Sequence, residues 1–116
     1  MKNNLKSLEK KLDKVFSEYI RHRDGHICFT CGKLGEQCGH LISRTRKSVR
    51  WDERNAFAQC RGCNKVHEYY PELFTRLWLN NFGEKAYKRL VDDSVRPTKY
   101  TQEKLLNLIS EFEQKN

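Results

Sequence analysis

The feature that most constrains this chain is a pair of short cysteine motifs, Cys28-Phe29-Thr30-Cys31-Gly32 and Cys60-Arg61-Gly62-Cys63, in a polypeptide of 116 residues. Thiolates spaced this way share one tight turn, and two such turns brought together make a tetrahedral zinc site. Gly32 and Gly62 let backbone N–H groups approach the sulfurs. Four thiolates leave no open coordination position, so zinc held by Cys28, Cys31, Cys60 and Cys63 would supply folding free energy and not catalysis. The 28 residues between the pairs exceed the spacing of a simple zinc ribbon and form an insert tied down at both ends. Cys38 lacks a partner two residues away and reads as a buried small hydrophobe in preference to a replacement ligand.

On either side of this centre the periodicity is helical. Leu5, Leu8, Leu12, Val15, Phe16, Tyr19 and Ile20 recur at three- and four-residue steps, which predicts an amphipathic helix over residues 4–22. Arg23-Asp24-Gly25 then signals a turn, and the stretch to about Arg61 reads as turns and short strands. Helical spacing returns with Tyr69, Leu73, Leu77 and Trp78, with Pro71 in a first turn and Gly83 separating two helices. Thr101 caps a last helix that carries Leu105, Leu106, Leu108, Ile109 and Phe112. The expected organisation is one domain over 1–116: an N-terminal helix at 4–22, a zinc-bound core at 24–68 and a helical part at 69–114.

Charge narrows the partner. Lys and Arg number 23 against 15 Asp and Glu, a net charge of +8, which suits a polyanion, either nucleic acid or an anionic membrane surface. No apolar run approaches the length of a membrane span. The opening MKNNLKSLEKKLDKVF interleaves charges with apolar residues, unlike a secretory signal, so a cytoplasmic location is expected.

The insert contains Gly39-His40-Leu41-Ile42-Ser43, Asn55 lies fifteen residues beyond His40, and Asn64 directly follows the last cysteine. The order Cys-x-x-Cys, His, Asn, Cys-x-x-Cys-Asn over about Asp24 to His67 resembles the HNH, or His-Me finger, nucleases, whose active site is a ββα-metal unit. Three stretches, Cys38-Gly39-His40-Leu41-Ile42-Ser43-Arg44, Arg50-Trp51-Asp52-Glu53-Arg54-Asn55 and Gln59-Cys60-Arg61-Gly62-Cys63-Asn64, are similar to the NinG/Rap family of phage recombination nucleases. The segment Leu12 to Arg21 carries the same likeness, and together these four stretches cover 29 residues, a quarter of the chain.

The resemblance implies an α+β fold, a zinc-stabilised ββα-metal unit flanked by amphipathic helices. It also implies a metal-dependent endonuclease of branched DNA, Holliday junctions included, at work in a host cytoplasm during phage recombination. In that reading His40 is the general base, because a neutral imidazole near pH 7 can take a proton from water; a histidine satisfied by a backbone carbonyl is the other role open to it. Asn55 fixes the loop that orients His40. Asn64 falls where the family binds its catalytic Mg²⁺ or Mn²⁺, and its amide oxygen suits a hard cation; a helix N-cap is the other role open to it.

One departure stands out. Many members of the wider superfamily place an Asp or His just before the base to hold the metal, whereas this chain has Gly39. His67 or Glu68, three and four residues after Asn64, share its helical face, with His67 preferred; Asp52 and Glu53 are further candidates. Arg44, Arg46, Lys47, Arg50 and Arg54 form a basic loop suited to phosphates. Trp51 beside them either stacks on an unpaired base or anchors the loop in the core. Symmetric cutting of a four-way junction needs two active sites and hence a homodimer, for which the terminal helices could supply the interface unless they simply cover the zinc unit. The alternatives are an HNH nuclease or nickase without branch preference and a non-catalytic zinc-knuckle DNA-binding protein. A zinc-mediated protein adaptor leaves the concentrated arginines unexplained.

Overall fold

In the computed structural model, which describes residues 2–116 and side chains from residue 4 onward, the first helix, α1, runs Lys2–Arg23. Its last turn carries the cations Arg21 and Arg23, which complement the negative end of the helix dipole. It stops where Gly25 and His26 take left-handed backbone angles, φ 63° and 58°. Arg23 and Asp24 then clip this end to the middle of the chain. The Arg23 guanidinium donates to the Glu53 and Ala56 carbonyls at 2.9 and 2.8 Å, and Asp24 accepts from the Ala58 N–H at 2.8 Å.

The insert folds as strand β1 (Gln37–His40), a four-residue helix α2 (Lys47–Arg50), a 3-10 turn (Glu53–Asn55) and strand β2 (Ala56–Gln59). β1 and β2 pair antiparallel, with Gln37 opposite Gln59 and His40 opposite Ala56. Helix α3 (Arg61–Tyr69) follows at once and packs on β1. Its N-cap is Cys60, whose sulfur accepts from the Cys63 N–H at 3.3 Å, so the N-cap role open to Asn64 falls to Cys60 instead.

Pro71 precedes α4 (Glu72–Phe82), Gly83 at φ 90° separates it from α5 (Glu84–Ser94), and Thr101 caps α6 (Gln102–Lys115) by accepting from the Lys104 N–H at 3.2 Å. The arrangement is α+β, mostly helical around a two-stranded sheet.

Two apolar clusters hold it together. Leu12, Val15, Phe16 and Ile20 of α1 pack on Leu105, Ile109 and Phe112 of α6, with Trp51 and Ala56 beneath. Leu41, Val49, Phe57, Phe74, Trp78 and Leu90 form the second. The apolar faces of the terminal helices are thus occupied by each other. The expected stripe through Tyr69 and Leu73 differs: both are exposed, and α4 buries Phe74 and Trp78. α3 ends at Tyr69 and α4 begins at Glu72, three residues later, so the helical phase restarts between them. Among the described residues no helix is long and apolar enough to cross a membrane.

Candidate active site and metal centre

The four sulfurs of Cys28, Cys31, Cys60 and Cys63 lie within 4.8 Å of one another, and the Cys31 and Cys60 sulfurs are 3.8 Å apart. Sulfurs each about 2.3 Å from a tetrahedral zinc stand about 3.8 Å from one another, so the donor set fits a structural zinc. Among the described residues this is the one cluster of three or more His, Cys, Asp or Glu close enough to hold an ion. Burial works to raise the Cys28 thiol, but N–H groups of Cys60, Cys31 and Thr30 outweigh it and bring the pKa down to about 6, favouring the thiolate a metal needs. The first turn closes through the Gly32 N–H on the Cys28 carbonyl at 2.9 Å, with Gly32 at φ 76°. Cys38 stands apart from this cluster, packed beside the α1–α6 core, where burial pushes its thiol up to about 12.

Because α3 begins at the second cysteine turn, the same centre sets where its side chains fall. Asn64, His67 and Glu68 of α3, Gln37 and His40 of β1, and Ser43 and Arg44 after it all line one open cleft of about 880 Å³. Its remaining wall is α1, through Asp13, Ser17 and Arg21. The structure thus brings His40, Asn64 and His67 together.

His40 donates from Nε2 to the Arg50 carbonyl at 2.8 Å. A carbonyl only accepts, so the neutral ring carries its proton on Nε2 and keeps the Nδ1 lone pair. Burial is the main influence on this ring and lowers its pKa below the ordinary 6.5, despite the opposing hydrogen bond to Arg50. Phe16 lies against it, with ring centroids 6.1 Å apart.

Asn55 is fully buried behind this arrangement. It accepts from the Ile42 N–H at 2.7 Å and donates to the Ile42 and Val49 carbonyls at 2.9 and 3.0 Å. These bonds staple the two ends of the loop that presents the Arg50 carbonyl to His40.

Asn64 donates from Nδ2 to Gln37 Oε1 at 2.9 Å, which leaves its Oδ1 as an acceptor. His67 donates from Nε2 to the main-chain carbonyl of His40 at 3.0 Å, and its buried Nδ1 has no partner among the described residues. The His67 ring therefore ties α3 to β1. Asp52 and Glu53, the further candidates for a catalytic metal, lie away from the cleft. Asp52 holds Arg54 and caps the 3-10 turn, and Glu53 accepts from Tyr19 at 2.6 Å and Lys115 at 3.1 Å. The hard oxygens that remain around the cleft, Asn64 Oδ1 with the Glu68 and Glu36 carboxylates, are of the kind Mg²⁺ takes.

The departure at Gly39 has a steric reason. A Cβ there would stand 1.8 Å from Gln59 Oε1 and 2.7 Å from Gln59 Cδ, and Gln59 is fully buried with Nε2 donating to Thr30 Oγ1 at 2.8 Å. The Gln59 amide occupies the space that an Asp or His side chain would need.

The basic loop is largely engaged with the chain's own carboxylates. Arg44 and Arg50 both bind Asp13, Lys47 binds Glu9 at 2.9 Å, and Arg54 binds Asp52 and Asp93 at 2.6 and 2.8 Å. Arg46 has no ion pair among the described residues. Trp51 is 5% exposed, with its indole N–H on Asp13 at 2.9 Å and its ring edge-on to Tyr100, so it anchors the loop and is closed to base stacking.

Sequence reasoning missed Asp13, Ser17 and Arg21. They recur at four-residue steps on α1, a polar stripe beside the apolar one, and that spacing was the available signal. Asp13 accepts from Arg44, Arg50 and Trp51 together. Its replacement by Ala would leave a buried indole N–H and a guanidinium only 13% exposed without an acceptor. We expect Asp13→Ala to cost about 3 kcal/mol of stability, read from the urea midpoint at constant slope. A loss under about 1 kcal/mol would mean that Asp13 does not hold the loop.

The family described as Bacteriophage Lambda NinG protein matches residues 1–116. The chain belongs to the NinG family. No curated protein and no solved structure matches it. Membership over the whole chain agrees with the resemblance seen in the insert and in α1.

Proposed function

We propose that the chain is a metal-dependent endonuclease of branched DNA, Holliday junctions included, acting in phage recombination on a ββα unit of the HNH, or His-Me finger, kind. The observation that carries this reading is the tautomer of His40. With Nε2–H tied to the Arg50 carbonyl, the lone pair on Nδ1 belongs to a ring held neutral by burial, in a cleft with the oxygen donors of α3. Such a nitrogen accepts a proton from water as the water attacks phosphorus. Asn55 and Asp13 are positioning residues: one staples the loop whose carbonyl orients His40, and the other grips the Arg50 side chain. Asn64 and Glu68, with Glu36 across the cleft, are the residues that would hold a divalent cation. Mg²⁺ or Mn²⁺, when bound, neutralises charge on the phosphate and on the leaving oxygen.

Further support comes from the order β1, β2, α3 with a histidine on the first strand, and from family membership. Arg44 and Arg46, with the other cations of the loop, are proposed to meet phosphates, by exchanging their intramolecular carboxylates where they have them. Two-fold cutting of a four-way junction implies a homodimer. The test is Mg²⁺-dependent cleavage of a labelled four-way junction with matched duplex in parallel. We expect cuts near the branch and at least ten times fewer in the duplex. Equal cutting of both would keep the nuclease and remove the branch preference. Tight junction binding with no cutting would leave a zinc-knuckle DNA-binding protein.

A further inference from the structure

The outer face of α3 and the corner that follows it have no role in the site just described. Tyr69 and Tyr70 are each 67% exposed, Val66 and Leu73 beside them are exposed too, and neither tyrosine hydroxyl has a partner among the described residues. Arg61 and Lys65 precede Tyr69 at four-residue steps on the same helix face. Both are exposed and, among the described residues, without an ion pair, unlike Arg44, Lys47, Arg50 and Arg54. The corner also adjoins the cleft. Glu68 and Pro71, which flank the two tyrosines, line the same cavity as His40.

Exposed aromatic rings at the end of a cationic stripe are the combination that binds unpaired nucleic acid, where cations follow the backbone and rings stack on bases. A purely apolar protein contact would not call for free cations in register with the rings, nor for two phenols whose polar tips face water. Regular duplex has no unstacked base to offer, whereas a branch point does. Trp51, the other aromatic near the basic loop, is buried and cannot serve.

We propose that Tyr69 and Tyr70 form a stacking platform for unpaired DNA bases at the branch, with Arg61 and Lys65 on the phosphates that lead to it. This rests on the reading of the chain as a branched-DNA nuclease and names what it grips.

The test is binding, so that it stands apart from cleavage. In buffer without Mg²⁺ or chelator, wild type and the doubly substituted Tyr69→Ala/Tyr70→Ala and Tyr69→Phe/Tyr70→Phe proteins are titrated onto a junction carrying an unpaired 2-aminopurine at its branch and onto matched duplex. We expect the alanine pair to weaken junction binding about 10-fold and abolish the change in 2-aminopurine fluorescence, with duplex binding unchanged and the phenylalanine pair close to wild type. The proposal is overturned if the alanine pair matches wild type on the junction or loses duplex equally. It is also overturned if that pair turns a dimer into a monomer while DNA binding holds. A protein that never cuts can still pass this test, and one that cuts normally with both tyrosines replaced keeps the nuclease and loses the platform.

Discussion

Removing the metal from the four-cysteine centre is expected to unfold the middle of the chain. Structural zinc held by four thiolates contributes an apparent binding free energy of about 10–16 kcal/mol at neutral pH, comparable to the whole stability of about 5–15 kcal/mol typical of a small domain. Here the dependence is sharpened by the architecture. Cys60 is at once one of the four sulfurs placed to hold the ion, the last residue before α3 and its N-cap, and Cys28 sits fully within the fold. Loss of the ion therefore leaves four clustered thiols and two loops free to separate. We predict one zinc per chain by metal analysis, loss of helical circular dichroism and of the cooperative thermal transition on chelation, and an unfolded Cys60→Ser protein. Acid should release the metal as well, because protons compete for the thiolates. A chain that keeps its transition without metal would make the cysteines ordinary buried thiols.

The second large effect is on the rate of cleavage. Replacing His40 with Ala is expected to slow Mg²⁺-dependent cutting about 10²- to 10⁴-fold, the usual worth of a positioned general base. The pH profile gives an independent reading. A base works in its neutral form, and burial lowers the His40 pKa below the ordinary 6.5. The rate should therefore rise with pH through a midpoint below 6.5, be level by pH 7, and lose this limb in His40→Ala. A midpoint well above 7 would assign the proton transfer to another group. The substitution is not expected to disturb the fold, since His40 is only half-buried and its partner Arg50 remains gripped by Asp13.

What could be read from the sequence followed from local spacing. The N-terminal helix, the break at Gly83, the Thr101 cap and each of the two cysteine turns depend on residues close together in the chain. His40 and Asn64 were also legible, because each stands at a fixed offset from a cysteine motif. Asp13 was not, since its partners Arg44, Arg50 and Trp51 lie 31 to 38 residues away. The same blindness inflated the basic loop, whose cations meet carboxylates carried by α1 and α5. Tyr69 and Leu73 were assigned to a core stripe because periodicity was carried across Tyr70-Pro71, where the helix changes direction. His67, chosen by its offset from Asn64, lines the cleft with its Nε2 joined to the backbone of His40 and its Nδ1 without a partner among the described residues.

The central claim is that this fold hydrolyses branched DNA with His40 as its base. The measurement that tests it most directly is single-turnover cleavage of a labelled four-way junction by zinc-loaded wild type and His40→Ala across a Mg²⁺ titration. Cuts near the branch that grow with Mg²⁺ and fall at least 100-fold in the variant, with junction binding retained, are the result expected. Wild-type binding without cuts at any Mg²⁺ or Mn²⁺ concentration, or cuts that persist undiminished in His40→Ala, would contradict it.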